Sequence, residues 1–547
     1  MRGSAGAAGW WVPGAQPARS GEEAIGAAVA QIARDIVLVE QEGAVAAGSG
    51  GTLCLGGGAP AGALPLLAHA PALTPDRLGD PAFRAAHGVR YPYVLGAMAN
   101  GIASVDLVQA AARAGLLAFF GSAGLHPREV EEAVERLQGA VGDLPHGFNL
   151  IHSPADPQLE DALVDLYLRR GVRRVSASAY LTLTLPLVRY RFEGIHRDAA
   201  GNVVAPNRLV AKLSRIEVAR LFLSPPPDEM LQQLVAAGTL TAEQAAMAAT
   251  LPLAEDITAE ADSGGHTDNR PALALIPTMR ALRDQVQAER GYPVPPRIGA
   301  AGGLGTPDAV AAAFGMGAAY VLTGSVNQSA REAGTSDAVK RMLAEAEQAD
   351  VIMAPSADMF EMGVKVQVLK RGTMFPLRAR KLYELYREYG ALEEIPAAVR
   401  DSLEKQYLRS SFEDAWAGTC RFFEERDPRQ IERGSRDPKH RMALVFRSYL
   451  GRTSDWAKRG DETRKMDYQI WCGPAMGAFN QWARGTFLES PERRDVVTIG
   501  MNLLVGAAVL IRARHLRTQH DLPPACERFA PREPAELAAL LQPGVQV

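Results

Sequence analysis

Between Tyr93 and Thr323 short apolar strands alternate with helices, and this rhythm constrains the fold more than any other feature of the chain. The strand candidates are Tyr93–Met98, Leu116–Phe120, Gly147–Ile151, Arg174–Tyr180, Leu209–Leu213, Ile257–Asp262, Arg297–Ala301 and Ala319–Thr323. Helical segments fall between them. Ser104–Gly115 has Ser104 as a candidate N-cap, His126–Gly142 has Pro127 in its first turn, and Pro157–Gly171 ends on glycine. Pro277–Glu289 and Thr306–Gly317 separate the last three strands. Strands that alternate with helices need crossover connections, and therefore parallel pairing. The fold class is α/β, and eight such units predict a (β/α)8 TIM barrel, with a doubly wound open sheet as the alternative. Short, evenly spaced strands favour the barrel. So do the Gly-rich or polar residues just after the strands, where barrels build their active sites.

The rest of the chain divides around this barrel. Residues 1–85 are rich in Gly, Ala and Pro and are expected to be loosely built, with disordered first residues and one strand in Ile36–Val45. The barrel is assigned to 86–327. Within it, Thr182–Arg208 reads as a polar hairpin-like excursion with a turn at Ala200-Gly201-Asn202, and Asp228–Leu251 as two extra helices parted at Gly238. Residues 328–467 read as a large, mostly helical insertion over the barrel mouth. Residues 468–547 hold apolar helices, near Tyr468–Arg484 and Asp495–Arg514, that pack back on the barrel.

Composition narrows the function classes. A net charge of −3 gives no sign of nucleic-acid binding or of a polybasic membrane patch. Cys54, Cys420, Cys472 and Cys526 have neither metal-ligand nor disulfide-scaffold spacing, so no metal site and a reducing, cytoplasmic setting are expected. The apolar run Val496–Ile511 falls short of the ~20 residues that span a bilayer, so it reads as a buried helix rather than a membrane span. The apolar C-terminal helices are also a candidate homodimer surface.

The strand ends carry the chemistry. The seventh strand runs into Ala301-Gly302-Gly303 and a helix opening at Thr306-Pro307; the eighth ends in Thr323-Gly324-Ser325. Barrel loops at these two positions commonly bind phosphate through freed backbone N–H groups and a helix N-terminus. After the first strand, Gly96-Ala97-Met98-Ala99-Asn100 leaves room for a planar ring. Asn149, Ser178 and Lys212, at the ends of strands three to five, offer amide, hydroxyl and ammonium groups to ring heteroatoms. Lys212 in an apolar strand reads as a ligand-binding cation, with half of an internal ion pair as the alternative. Phosphate at strands seven and eight, with a ring over strands one to five, is the footprint of FMN. After the sixth strand, Ser263-Gly264-Gly265-His266 places an imidazole beyond a turn that a flat ligand can approach closely, flanked by Glu260, Asp262 and Asp268.

Six segments carry a family resemblance: GAMANGIAS (Gly96–Ser104), GFNLIHSP (Gly147–Pro154), EADSGGHTDNRP (Glu260–Pro271), AAGGLGTP (Ala300–Pro307), VLTGSVNQ (Val321–Gln328) and DMFEMGVKVQVLKRGTMFPLRARKLYELY (Asp358–Tyr386). With them the chain resembles the PfaD-like trans-acting enoyl reductases of polyketide and polyunsaturated fatty acid synthases, relatives of nitronate monooxygenases. The GGH segment is shared across the wider superfamily, and the Asp358–Tyr386 block is specific to the PfaD-like branch. The resemblance implies an FMN barrel that takes hydride from NADPH and reduces an enoyl thioester on an acyl carrier protein. It puts His266 on the substrate side of the flavin, as α-carbon proton donor or as stabiliser of enolate charge. Lys365, Lys370, Arg371, Arg378, Arg380 and Lys381 form a basic stripe suited to an acidic carrier protein, or simply a solvated face. A nitronate-type flavin oxidase and a non-catalytic flavin-binding synthase component are the alternatives.

Overall fold

The computed structural model describes residues 9–154, 156–424 and 426–542. Eight parallel strands close into a barrel: Tyr93–Leu95, Leu117–Phe120, Gly147–Ile151, Arg174–Ser178, Arg208–Leu213, Asp256–Glu260, Arg297–Ala301 and Val321–Thr323. The ring closes where Val321–Thr323 pairs with Tyr93–Leu95. The strands read as continuous apolar runs, with Val94, Phe148, Val175, Leu209, Ile257 and Ile298 all buried, as a sheet covered on both faces requires. All eight lie where the sequence places them. The first and fourth stop two or three residues early because Gly96–Met98 and Ala179–Tyr180 already turn out of the ladder to line the space above.

The bottom of the barrel is closed by the helix Pro81–His87. Phe83 stacks on Tyr320 at 4.2 Å between ring centroids. At the same end Asp256 and Arg297, in register on adjacent strands, form a bidentate pair at 2.7 and 2.8 Å. His87 Nε2 lies 2.9 Å from Asp256 Oδ2, the oxygen that also accepts from Arg297 Nη2. Burial pushes the Asp256 carboxyl up, but Arg297 and His87 outweigh it and hold the group well below the usual carboxylate range. Burial keeps the His87 imidazole below its ordinary value in spite of Asp256. This sealed triad serves fold stability rather than chemistry, since it lies at the end of the barrel opposite the loops that follow the strands.

The N-terminal residues depart from expectation. They form a six-stranded antiparallel sheet rather than a loose segment, with the helix Glu22–Ala30 against it. Strand alternation explains the order. Trp11, Val37, Val39 and Ala46 bury on one face, while Ile36, Leu38, Ala47, Ala68 and Ala70 join the main core on the other. The many Gly and Ala residues mask that period in the sequence. The first residues, expected to be disordered, lie outside the described residues.

Between the fourth and fifth strands, only 196–204 is a hairpin, His196–Arg197 with Val203–Val204; Thr184 caps a helix, Leu185–Phe192, before it. The two extra helices are Asp228–Ala236 and Ala242–Ala248. Beyond the barrel, residues 328–467 are mostly helical, with long members at Phe375–Glu388, Phe412–Glu424 and Pro438–Arg459. They also contain an antiparallel hairpin, Val351–Pro355 with Lys365–Leu369, to which Gly265–His266 adds a third strand. The C-terminal helix Val496–Arg517 is long and apolar enough to cross a membrane, but 83% of its most apolar window is buried inside the protein. It packs on the helix Pro307–Gly315, and buried Arg512 donates to Gln31 O at 2.7 Å. Most of its apolar surface is therefore used within the chain.

Candidate active site

The loops that follow all eight barrel strands surround one cavity of about 1440 Å³. Gly96, Ala97, Met98, Asn100, Asn149, Ser178, Lys212, Gly264, Gly265, His266, Ala301, Gly302, Gly303, Gly324 and Ser325 all line it. Its roof is made by residues beyond the barrel, among them Asp358, Lys365, Phe422, Arg447, Arg452 and Trp471. The sequence thus marks residues hundreds of positions apart that the fold gathers around one space.

At strands seven and eight the cavity wall is backbone. Gly302 and Gly303 have φ of 87° and 72°, in the left-handed region that favours glycine. A Cβ on Gly302 would lie 2.5 Å from the Ala261 carbonyl carbon, so this turn is pressed against the end of the sixth strand. A Cβ on Gly303 or Gly324 would meet nothing within 4 Å, so both turns face open space. Ser325 Oγ accepts from Gly473 N at 3.0 Å and keeps its own proton for a ligand. This wall, rich in N–H donors and free of side-chain bulk, fits a phosphate. Thr306 and Pro307 do not reach the cavity: Thr306 Oγ1 accepts from Ala309 N at 3.2 Å as a cap, and Pro307 packs against Gly506. The donors are those of the glycine turns rather than of that helix.

Next to the eighth strand, in the loop after the first, Asn100 adopts φ 58° and donates to Ser454 Oγ at 3.2 Å. Asn149 is buried, donating to Ser176 O at 2.8 Å and Ser178 Oγ at 3.0 Å. Lys212 Nζ lies 2.6 Å from Glu260 Oε1. The ion-pair reading of Lys212 is thus realised, and the pair stands at the cavity wall, where the ammonium also faces whatever fills it.

His266 is held by the hairpin outside the barrel. Gly265 and His266 pair with Gln367 and Val366. Gln367 donates to Asp262 Oδ1 at 2.9 Å and Ser263 O at 2.8 Å, and Asn269 donates to the same Asp262 oxygen at 2.8 Å. Behind the turn, a Cβ on Gly264 would lie 2.9 Å from Gly473 N, so only glycine fits there. None of the three acidic residues flanking His266 in sequence is its partner. Glu260 holds Lys212, Asp262 braces the turn, and Asp268 pairs with Arg215 at 3.0 Å. The partner is Asp358, whose Oδ2 is 3.1 Å from His266 Nε2. Burial acts to lower the His266 imidazole, but the hydrogen bond and charge of Asp358, with Glu260 beyond, raise it above its ordinary value. Burial likewise pushes the Asp358 carboxyl up, but His266 outweighs it and holds the group low. Asp358 and Gln367 stand inside the quoted Asp358–Tyr386 block, but strand pairing across about 90 residues leaves no local signal of which residue meets the histidine.

Of the basic stripe, Lys365, Lys370, Arg371, Arg380 and Lys381 are exposed and Arg378 is not. Arg378 turns inward to buried Asp467, and Arg371 pairs with Asp350 at 3.2 Å. Of the six residues only Lys365 lines the cavity.

Comparison with known proteins fits this geometry. The nitronate monooxygenase family profile matches residues 80–406, and that of the [acyl-carrier-protein] S-malonyltransferase inserted helical domain matches 389–468. A polyunsaturated fatty acid synthase subunit of Thraustochytrium sp. is 48% identical over 80% of this chain and 30% of its own length. Polyketide biosynthesis protein PksE of Bacillus subtilis is 46% identical over 81% of this chain and 57% of its own. The chain therefore spans about a third and somewhat over half of these two relatives. The crystal structure of the enoyl reductase domain of MlnA, from the macrolactin cluster of Bacillus amyloliquefaciens, superposes with a TM-score of 0.77 at 40% identity, covering 80% of this chain and 99% of that domain. The chain belongs to the nitronate monooxygenase family of barrels, in its PfaD-like branch of polyketide and polyunsaturated fatty acid synthase proteins.

Proposed function

We propose that the chain is a trans-acting, FMN-dependent enoyl reductase, which uses NADPH to reduce the α,β-double bond of an enoyl thioester carried by an acyl carrier protein. The observation that carries this reading is the size and make-up of the cavity at the strand ends. Its 1440 Å³ exceeds the roughly 300–1,000 Å³ of an ordinary small-molecule pocket, so it has room for a cofactor and a second, extended ligand. The names of the relatives, a polyunsaturated fatty acid synthase subunit and an enoyl reductase domain, support the same class of chemistry.

The residues divide by role. The turns Ala301-Gly302-Gly303 and Gly324-Ser325 would hold the phosphate. Gly96, Ala97, Met98 and Asn100 would floor the ring, and Asn149, Ser178 and Lys212 would meet its heteroatoms, with Gly264 and Gly265 giving close approach. When bound, FMN supplies reversible hydride chemistry that no side chain offers. His266 stands on the same cavity at the substrate side, where it donates a proton to the α-carbon or stabilises enolate charge.

Cations of the cavity lining offer a docking surface beside the stripe expected from sequence. Arg452 and Lys458, on the helix Pro438–Arg459, line the cavity without a carboxylate partner among the described residues, and Arg452 stacks on Trp456 at 5.1 Å. Carrier proteins are acidic and their pantetheine arm ends in a phosphate, so these cations suit that partner. Reversing both, with Arg452→Glu and Lys458→Glu, raises KM for a carrier-bound enoyl thioester about tenfold while KM for the pantetheine-bound thioester stays at the wild-type value. NADPH oxidation followed with both substrates checks this. An equal rise for the two substrates assigns the cations to the cavity rather than to docking, and no oxidation by the wild type with either substrate removes the reductase reading.

A further inference from the structure

Asp358 reaches the barrel from outside it. It follows the hairpin strand Val351–Pro355, in the turn before Lys365–Leu369, and is fixed there on two sides. Buried Ser356 donates its hydroxyl to Asp358 Oδ1. Arg447, from the long helix Pro438–Arg459, donates to Ala357 O at 2.9 Å and to Glu361 Oε1 at 3.1 Å, clamping the turn that carries the aspartate. The free carboxylate oxygen, Oδ2, forms an ion-pair contact of 3.1 Å with His266 Nε2, and the Ser356 hydroxyl lies 3.5 Å from the same nitrogen. His266 Nδ1 has no hydrogen-bond partner among the described residues, and the ring lines the cavity.

We infer that Asp358 is a positioning residue for His266: it accepts a hydrogen bond from Nε2–H, so that Nδ1 is the nitrogen presented to the substrate and the ring is kept charged until it reacts. This deepens the enoyl reductase reading and rests on it for the identity of the proton acceptor. With the ring as imidazolium, once the β-carbon has accepted the hydride that NADPH supplies, the π electron pair of the double bond is left at the carbon α to the thioester carbonyl and takes the proton from Nδ1–H to form the new C–H bond. The N–H bond breaks and its electrons stay on Nδ1. The ring is left neutral with Nε2–H still on Asp358, and a proton from solvent restores Nδ1–H. A carboxylate behind an imidazole performs the same two tasks, fixing the tautomer and stabilising the cation, wherever a histidine exchanges protons with a substrate.

The charged groups that face His266 are few, and their signs are compatible with this role. Asp358 comes from the hairpin turn and Glu260 from the sixth strand, both favouring the cation; Lys212, from the fifth strand, opposes it but is itself neutralised by Glu260 at 2.6 Å. Arg447 faces Asp358 rather than the ring. Removing the Asp358 charge therefore removes the main group that keeps the imidazole protonated, and leaves the turn held by Ser356, Arg447 and the strand pairing of His266 with Val366.

The test combines titration and turnover. Histidine is labelled at 13Cε1 in the full chain, which has ten histidines, and the His266 signal is assigned by its loss in His266→Gln. In Asp358→Asn the His266 titration midpoint moves to lower pH, and Asp358→Glu restores it at least in part. FMN affinity and the rate of flavin reduction by NADPH stay at wild-type values in both variants. Turnover of the enoyl thioester by Asp358→Asn approaches wild type in acid and falls away as pH rises, by about tenfold or more above neutrality. An unchanged midpoint in Asp358→Asn overturns the proposal. So does a loss of turnover that is the same at every pH and is matched by lost FMN binding, which marks a merely structural role. If the wild type reduces no enoyl thioester, the enoyl reductase reading fails, while the titration still decides whether Asp358 governs His266.

Discussion

His266→Ala binds FMN and is reduced by NADPH like the wild type, but reduces enoyl thioester about 10²–10⁴-fold more slowly, the range general acid catalysis contributes. The asymmetry follows from placement. The turns proposed to hold the phosphate, Gly302-Gly303 and Gly324-Ser325, and the proposed ring floor, Gly96–Asn100, come from strands seven, eight and one, and none depends on the imidazole. The turn that bears His266 is built by other residues: Gln367 and Asn269 hold Asp262, and Gly264 packs on the Cys472–Gly473 backbone. Alanine therefore deletes a proton-transfer group without releasing the loop. Stopped-flow absorbance separates the two half-reactions. Wild-type turnover in this variant removes His266 from the mechanism, and a protein that no longer holds FMN assigns it to the cofactor site instead.

The second large effect is on stability, at the far end of the barrel. Asp256→Asn leaves buried Arg297 without its bidentate partner, with only half-buried Glu255 as a nearby negative charge, and such a break in a buried ion pair costs about 3–5 kcal/mol. The urea midpoint falls accordingly while FMN affinity of the folded protein is unchanged, because the triad and the cavity occupy opposite ends of the strands. The same triad sets an acid limit. Asp256 has a folded pKa below its unfolded value of about 3.9, so its contribution is full above that value and is lost as pH falls below it. His87 is also held below its unfolded value of about 6.5, so its contribution is present above that pH and declines as pH drops through it. Stability thus declines on the acid side in two stages, His87 first and Asp256 second. Urea midpoints measured from pH 8 to pH 3 check the order, and an Asp256→Asn midpoint equal to wild type at pH 7 contradicts the account of the triad.

Much of this architecture is legible in the sequence because barrels are built from local units. Each strand such as Gly147–Ile151 is an apolar run, each helix such as Pro127–Val141 announces itself by a cap and a proline, and their alternation fixes the parallel order. The cavity walls are legible for the same reason, since residues just after strands necessarily converge at one end. What stays hidden is non-local. The N-terminal sheet pairs Trp10 with Cys54 and Val37 with His69, and a Gly- and Ala-rich sequence gives little sign of those partners. Lys212 is ambiguous until the register sets it beside Thr258, two residues from Glu260. The choice of Asp358 over Glu260, Asp262 or Asp268 as the partner of His266 depends on an antiparallel pairing with a hairpin some 90 residues away.

The most direct test of the central claim is an anaerobic absorbance titration of the protein loaded with FMN. NADPH is added first, and then an enoyl-pantetheine thioester. Bleaching of the flavin band by NADPH, reversed stoichiometrically by the thioester, is the result this account predicts. A band that does not bleach, or one restored only by air and turned over rapidly with nitronates, contradicts it: the first points to a non-catalytic flavin-binding component and the second to an oxidase.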